Sequence, residues 1–229
     1  MKKLQYILWS LLGCAALLCS CGTDNFDEPT ATLSGQVVYQ GQPINVKSGG
    51  VELQLYQDGY AKKDPIGVQV AQDGSFKATL FKGVYKLITK DGNGPWESLK
   101  DTTVITVDGN TNYNVEVTPY YILSDATMSI SGSKLKAKVT LKKVIASATL
   151  SSAIIVIGKT NIVDDSWNVA KLELPAEQLP YLTDGTYPFE YDIDLSSLSA
   201  RHLFGRIGVK ASGADSYIFT PVIDLGTPQ

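Results

Sequence analysis

The chain of 229 residues is 44% hydrophobic and 19% charged, and its 20 basic and 23 acidic residues give a formal net charge of -3. This composition supports one or two hydrophobic cores and excludes a disordered or collagen-like chain. A nucleic-acid partner is not expected, because such proteins usually carry a strong basic excess. One His and three Cys leave few ligands for a metal, so we expect neither a metal site nor a cofactor.

The first 20 residues carry the features of an export signal. After a basic start (MKK), an apolar run covers 4–18, which is shorter than the roughly 20 residues that span a membrane. The sequence LCSC at 18–21 resembles the bacterial lipobox. The resemblance implies a cleaved lipoprotein signal peptide over 1–20 and a lipid on Cys21. The alternative is an ordinary cleaved signal that contains cysteines.

Residues 21–30 form a short tether ahead of the first predicted strand. Its sequence, CGTDNFDEPT, concentrates acidic and turn-forming residues. Acidic residues just behind a lipidated Cys resemble the surface-export signal of Bacteroidetes lipoproteins, and the alternative is a solvated spacer. The predicted location is therefore the outer membrane, with the lipid on Cys21 as anchor and the protein at the cell surface.

Beyond residue 20 the sequence has no sustained helical periodicity, and Gly, Asp, Asn and Pro separate short alternating runs. This pattern predicts an all-β fold with two consecutive β-sandwich domains. The first domain is expected over 31–119, and its predicted strands are 32–39, 51–56, 66–70, 76–80, 83–88, 102–107 and 113–117. The last two strands are expected to form a hairpin across 108–110.

Four short motifs in this first domain resemble the carboxypeptidase-regulatory-like, transthyretin-like sandwich. They are SGQV at 34–37, GQPI at 41–44, DGSF at 73–76 and KGVYKL at 82–87. Glycines in such motifs allow turns, and their aromatic side chains fill the core. The resemblance implies a fold and no peptidase site.

The second domain is expected over 120–229. Its predicted strands are 126–130, 134–144, 152–157, 168–174, 189–195, 203–210 and 217–223. Strands at this spacing predict an immunoglobulin- or fibronectin-like sandwich. The last two strands are expected to pair across 211–215.

The order of these parts resembles a family of two-domain lipoproteins of unknown function from Bacteroidetes. The motifs FKGVY at 81–85, GPW at 94–96 and VTPY at 117–120 carry the resemblance along the mature chain. Such lipoproteins are often found with outer-membrane glycan importers of the starch-utilisation type. The resemblance therefore implies a glycan or an importer protein as partner.

Candidate catalytic residues are few. His202 is the single histidine, and no Gly-x-Ser-x-Gly nucleophile elbow accompanies it. Asp192 with Asp194, and Asp164 with Asp165, are acidic pairs that either support glycoside hydrolysis or lie on a solvated surface. We predict no catalytic residues and a non-enzymatic protein, and a cryptic glycoside hydrolase is kept as an alternative.

Aromatic residues in turn-rich segments are the candidate glycan contacts. Flat rings stack on the C–H faces of sugars, while a few polar side chains hold the hydroxyl groups. The candidates are Trp96 after a Gly-Asn-Gly-Pro loop, Trp167 after Asp-Asp-Ser, and the group Tyr181, Tyr187 and Tyr191. The alternative is that these rings cap the sandwiches or the junction between them.

A row of lysines is predicted on one face of a strand in the second domain. Its members are Lys134, Lys136, Lys138 and Lys142, and apolar residues alternate with them. Such a row either meets an anionic glycan or lipid head group, or forms a charged face that prevents aggregation. We favour the second interpretation.

These observations predict a non-enzymatic cell-envelope lipoprotein. Its expected role is an accessory component of an outer-membrane polysaccharide utilisation system that binds glycan or the importer. A purely structural or adhesive surface module is the alternative from a different class of function.

Overall fold

A computed structural model of the chain describes residues 27–59, 61–193 and 202–227. The predicted signal peptide, the lipid site Cys21 and Asp194 lie outside these residues. The described secondary structure is almost all strand, which confirms the predicted all-β fold. The elements are β1 Ala31–Tyr39, β2 Gln42–Pro43, β3 Val51–Tyr56, β4 Ile66–Val70, β5 Ser75–Leu80, β6 Gly83–Thr89, β7 Thr103–Val107, β8 Asn110–Asn112, β9 Val115–Glu116, β10 Tyr121–Ser131, β11 Lys134–Lys143, β12 Leu150–Gly158, β13 Ala170–Glu173, a 3-10 helix Ala176–Tyr181, β14 Gly185–Asp192, β15 Leu203–Ala211, β16 Ile218–Phe219 and β17 Ile223–Gly226.

The first nine strands, which we call the N-terminal unit, form one sheet. Its order is β2-β1-β5-β4-β3-β6-β7, and β8 and β9 both pair in parallel with β1. The predicted hairpin between 102–107 and 113–117 is therefore wrong. Gly109, with a φ of 69°, turns the chain away from β7, and its carbonyl oxygen accepts a hydrogen bond from the Thr32 N–H at 2.8 Å. The end of this unit is thereby joined to its beginning.

The remaining eight strands, which we call the C-terminal unit, form two sheets. One has the order β10-β11-β14, and the other has the order β13-β12-β15-β16 with β17 paired to β15. Leu135 and Val139 of the first sheet share a buried apolar cluster with Ile155 and Ile207 of the second. The two sheets therefore pack face to face, as in a β-sandwich.

The two units share a hydrophobic core at their junction. Trp96 and Val117 of the N-terminal unit belong to the same buried cluster as Tyr121, Ala153 and Val209 of the C-terminal unit. Burial of apolar surface on both sides stabilises the contact, so the junction is a packed interface and not a flexible linker. Within the described ranges, no helix is both long and apolar enough to cross a membrane.

Candidate functional site

The loop between β12 and β13 presents Trp167 to solvent. The side chain of Trp167 is 68% exposed, and the neighbouring apolar residues Ile162 and Val169 are exposed too. These side chains line a hollow of about 550 Å³. The polar lining residues are Ser48, Lys159, Thr160, Ser166 and Asn168. An exposed ring beside hydroxyl, amide and ammonium groups is the arrangement that suits a polar ligand with one apolar face.

Asp164 fixes the backbone that carries Trp167. Its Oδ1 accepts hydrogen bonds from the backbone N–H groups of Ser166 at 2.8 Å and Trp167 at 2.9 Å. The Asn168 amide then donates to the Asp164 carbonyl oxygen at 3.0 Å. Asp164 is fully buried, so these bonds are protected from water and hold the loop in one conformation.

The N-terminal unit also holds this loop. The Lys47 ammonium donates to Ser166 Oγ at 2.6 Å and forms an ion pair with Asp165 Oδ2 at 3.3 Å. The Gln72 amide donates to the Asn161 carbonyl oxygen at 2.6 Å. The loop is therefore ordered before any ligand arrives, which lowers the entropic cost of binding.

Trp96 lies in a different environment. It is only 2% exposed, and it forms an isolated bridge with Pro119 at the junction of the two units. The Tyr120 N–H donates to the Pro95 carbonyl oxygen at 3.1 Å, and the Glu97 N–H donates to the Thr118 carbonyl oxygen at 3.0 Å. A ring so covered offers no face to a sugar, so we remove Trp96 from the candidate contacts.

The three candidate tyrosines do not form one surface. Tyr181 is 78% exposed on the 3-10 helix. The Tyr187 hydroxyl accepts a hydrogen bond from the Thr183 N–H at 2.7 Å and donates to the Thr183 carbonyl oxygen at 2.9 Å, so it holds a turn. Tyr191 packs against the core of the C-terminal unit, and burial raises the pKa of its hydroxyl. Tyr181 alone among them presents an open ring.

The acidic pairs have partners within the protein. Asp164 Oδ1 and Asp165 Oδ2 are bonded as described above, while the second oxygen of each is buried without a hydrogen-bond partner among the described residues. Asp192 forms an ion pair with Lys134 at 2.6 Å. His202 Nε2 lies 2.7 Å from Asp224 Oδ1 on an exposed surface. In the described part of the chain, no group of three or more His, Cys, Asp or Glu residues is placed to hold a metal. None of these carboxylates faces the Trp167 hollow as a free pair.

The lysine row occupies the exposed face of β11, as predicted. Its apolar neighbours are buried, and the lysines alternate with them on the outside. Strand β14 lies antiparallel beside the row, and Glu190 Oε2 lies 3.8 Å from Lys136. Acidic groups on the neighbouring strand thus offset part of the positive charge.

Sequence reasoning missed Arg206, which links the two units. It is fully buried, and its guanidinium donates to the carbonyl oxygens of Thr220 at 2.8 Å, Val46 at 3.0 Å and Gln72 at 3.2 Å. The guanidinium also lies 4.5 Å from the centre of the Phe219 ring. Burial lowers the pKa of Arg206 to about 10, and the nearby Asp164 carboxylate opposes that change. A charged residue inside the apolar run LFGRIGVKA is the signal that could have revealed it.

Taken together, these features define an all-β protein of two packed units with a preordered aromatic loop on its surface. The chain belongs to the DUF3823 family. Residues 31–118 match the model described as "Protein of unknown function (DUF3823) N-terminal domain". Residues 121–224 match "Domain of unknown function (DUF3823_C)".

Solved structures of similar proteins come from Parabacteroides and Bacteroides species. A DUF3823 family protein from Parabacteroides merdae is 39% identical, with a TM-score of 0.80 over 87% of this chain and 100% of that chain. One from Bacteroides ovatus is 35% identical, with a TM-score of 0.77 over 86% of this chain and 99% of that chain. A protein from Bacteroides uniformis described as a "putative carbohydrate binding protein" is 16% identical, with a TM-score of 0.68 over 86% and 99% of the two chains. No curated protein matches this chain.

Proposed function

We propose that this chain is a non-enzymatic lipoprotein of the outer membrane that binds a saccharide at the Trp167 loop. The observation that carries the proposal is the exposed indole, on a loop with a hydrogen-bonded backbone, beside a hollow with polar lining. Trp167, Ile162 and Val169 are exposed together, and exposed apolar patches that contain an aromatic ring mark binding sites. The Bacteroides uniformis relative with the carbohydrate-binding description supports the same ligand class.

The chemistry of the hollow fits a sugar ring. The Trp167 indole offers a flat face for C–H groups, and Ile162 and Val169 extend this apolar surface. Asn168 and Thr160 lie at its edge with amide and hydroxyl groups that can meet sugar hydroxyls. The flat indole ring selects a ligand with a flat apolar face, and the few polar groups around it fix the orientation of that ligand.

The proposed role is an accessory component of a glycan uptake system. The lipobox resemblance at 18–21 supports attachment through Cys21, and the resemblance to Bacteroidetes lipoproteins supports a place beside an outer-membrane importer. Mass spectrometry of the N-terminal peptide from cell envelopes tests the anchor. A peptide beginning at a lipidated Cys21 is expected, whereas an unmodified Cys21 in the exported chain would contradict it.

A second candidate is that the same surface binds the importer protein. The exposed side chains of Ile162 and Val169 around Trp167 favour it, because apolar and aromatic residues are also enriched in protein interfaces. Affinity purification from a Bacteroidetes host with the wild-type chain and Trp167→Ala separates the two candidates. Loss of an importer partner without loss of saccharide binding would favour the second.

The direct test is calorimetric titration of the full chain with neutral and acidic hexasaccharides. Trp167→Ala is expected to weaken binding at least tenfold, because the stacking face is removed. Phe81→Ala is the matched control, since Phe81 is an exposed aromatic residue of the N-terminal unit outside the hollow. Tyr181→Ala tests the remaining exposed tyrosine. Unchanged affinity in Trp167→Ala would contradict the proposal.

A further inference from the structure

A second hollow lies where the two units meet. Its volume is about 520 Å³, and both units contribute to its walls. Its lining includes Gln36, Tyr39, Gln42 and Asn45 of the N-terminal unit and Leu123 of the C-terminal unit. We call it the junction groove.

Free amide groups are the main feature of the junction groove. The side chains of Gln36, Gln42 and Asn45 line it, and none of them makes a hydrogen bond to another described residue. The backbones of two of them are held, because the Gln36 N–H donates to Asn114 Oδ1 at 3.0 Å and the Asn45 carbonyl oxygen accepts from the Phe219 N–H at 2.9 Å. Each amide offers two donors and an acceptor oxygen with two lone pairs. The groove therefore presents fixed backbones with unused hydrogen-bonding capacity.

The turn at the edge of the groove is strained. Gln40 has a φ of 50° and is followed by Gly41 with a φ of 76°. This turn joins β1 to β2 and favours Asn or Gly at its first position, because a longer side chain is disfavoured at positive φ. The Gln40 N–H is held by Glu116 Oε1 at 2.6 Å, and its amide donates to the Tyr39 hydroxyl at 3.3 Å.

The charge of the groove selects a neutral ligand. Its lining includes no Lys or Arg, and its one carboxylate, Asp73, already accepts hydrogen bonds from the Ser75 N–H at 3.0 Å and Oγ at 2.7 Å. Pro43, Ile44 and Leu123 provide apolar walls. Amides that both donate and accept, beside apolar surface, match vicinal hydroxyls on a ring with C–H faces.

We propose that the junction groove is a second saccharide site, specific for uncharged glycan. It rests on the proposed function for its ligand class, but it depends on different residues. The segment 44–48 connects the two hollows, because Asn45 lines the groove and Ser48 lines the Trp167 hollow. Three residues span at most roughly 10 Å, so lining residues of the two hollows lie within that distance of each other.

The test uses the full chain and four neutral hexasaccharides: maltohexaose, cellohexaose, mannohexaose and xylohexaose. Calorimetry reports binding at either site, whereas a change in tryptophan fluorescence that is lost in Trp167→Ala reports the Trp167 hollow, since no tryptophan lines the groove. The double variant Gln42→Leu/Asn45→Leu is expected to lose at least tenfold in calorimetric affinity or one of two binding steps. Its thermal midpoint should stay close to that of the wild type, because neither amide makes a hydrogen bond to another described residue.

Controls separate the failure of this proposal from failure of the first. Gln178→Leu removes an exposed amide on the 3-10 helix, outside both hollows, and should bind as the wild type. Calorimetry of Trp167→Ala should still detect the heat of binding in the junction groove. If the double variant binds as the wild type while Trp167→Ala does not, the groove proposal is wrong and the Trp167 proposal stands. If none of the four binds at 10 mM, or if hexagalacturonic acid binds in the groove more tightly than they do, the groove proposal is overturned.

Discussion

Trp96 and Trp167 both follow short loops rich in Gly, Asn, Asp or Ser, yet one side chain is buried and the other is exposed. Trp96 is 2% exposed at the junction of the two units, and Trp167 is 68% exposed on the loop between β12 and β13. The difference arises from what lies beside each loop. The backbone of the Trp96 loop is hydrogen-bonded to residues 118 and 120, and its ring belongs to the core shared by the two units. Asp164 instead holds the backbone of the Trp167 loop, and the Trp167 ring is exposed. Local composition identifies a loop, but contacts with residues distant in the sequence determine whether its aromatic ring is buried or exposed.

The largest expected effect comes from removing the buried ring. Trp96→Ala should lower the free energy of unfolding by about 3–5 kcal/mol, because it leaves a large cavity in the shared core. Trp167→Ala should change it by about 0.5 kcal/mol or less, since an exposed ring contributes little to packing. Urea unfolding of both variants measures the contrast. Equal losses in the two variants would contradict the assignment of Trp96 to the core.

The next largest effect is expected at Arg206, which ties together the same two units as Trp96. Arg206→Met removes hydrogen bonds to carbonyl oxygens of both units, and the orphaned buried oxygens should cost about 3 kcal/mol. Lys210→Met is the control, because Lys210 lies on the same strand and only approaches the Tyr217 ring at 5.9 Å. Urea unfolding should show a small change in the control. If Arg206→Met left the free energy of unfolding unchanged, the stability of the junction would not depend on this side chain.

A moderate effect on binding is expected at Asp164. Asp164→Ala removes the acceptor for the Ser166 and Trp167 N–H groups, so the loop should lose order and saccharide affinity should fall about fivefold. Asp164→Asn keeps an acceptor oxygen and should retain more of the affinity. Calorimetric titration with a hexasaccharide that the wild type binds compares the affinities of the two variants. If both bind as the wild type, the preordering of the Trp167 loop is irrelevant to binding.

The smallest expected effect is a decrease in the free energy of unfolding at acidic pH. The Ser75 hydroxyl lowers the pKa of Asp73, and the Gly226 N–H, with His202, lowers the pKa of Asp224 from the usual 3.8. Both carboxyls therefore bind protons less readily when folded than when unfolded. Their stabilising contribution is present above pH 3.8 and is lost as the pH falls through the lower folded pKa values.

Urea unfolding at pH 7 and pH 3 measures this acid sensitivity. Asp73→Asn should reduce the difference between the two pH values, because one of the shifted carboxyls is gone. The same difference in the variant and the wild type would contradict the role assigned to Asp73. This carboxyl belongs to the junction groove, so the measurement also shows whether its hydrogen bonds to Ser75 persist in solution.

Much of the fold could be predicted because alternation is a local signal. Val51, Leu53 and Leu55 alternate with polar residues in the sequence and are the buried positions of β3. The parallel pairing of β8 and β9 with β1 could not be predicted, because their partners lie 78 residues earlier in the chain and no local pattern specifies them. The lipid site and the residue boundaries of the two domains stay predictions, as does the resemblance of 31–119 to carboxypeptidase-regulatory-like sandwiches.

The candidate site was only partly predictable. The setting after Asp-Asp-Ser identifies Trp167 in the sequence, but the same reasoning selects Trp96, which the fold buries at the junction of the two units. Asp164 was considered as one of an acidic pair, and its actual role is to hold a backbone turn. Gln36 and Asn45 are not predicted contacts, because isolated amides in a sequence carry no binding signal until the fold brings them to one groove.

Two-dimensional NMR of the indole N–H groups tests the central claim most directly. Full-length protein labelled with nitrogen-15 is titrated with a hexasaccharide that binds, and the Trp96 and Trp167 signals are assigned with Trp96→Phe and Trp167→Ala. We predict that the Trp167 indole signal moves on saturation while the Trp96 signal stays in place. A stationary Trp167 signal during saturable binding would contradict the account.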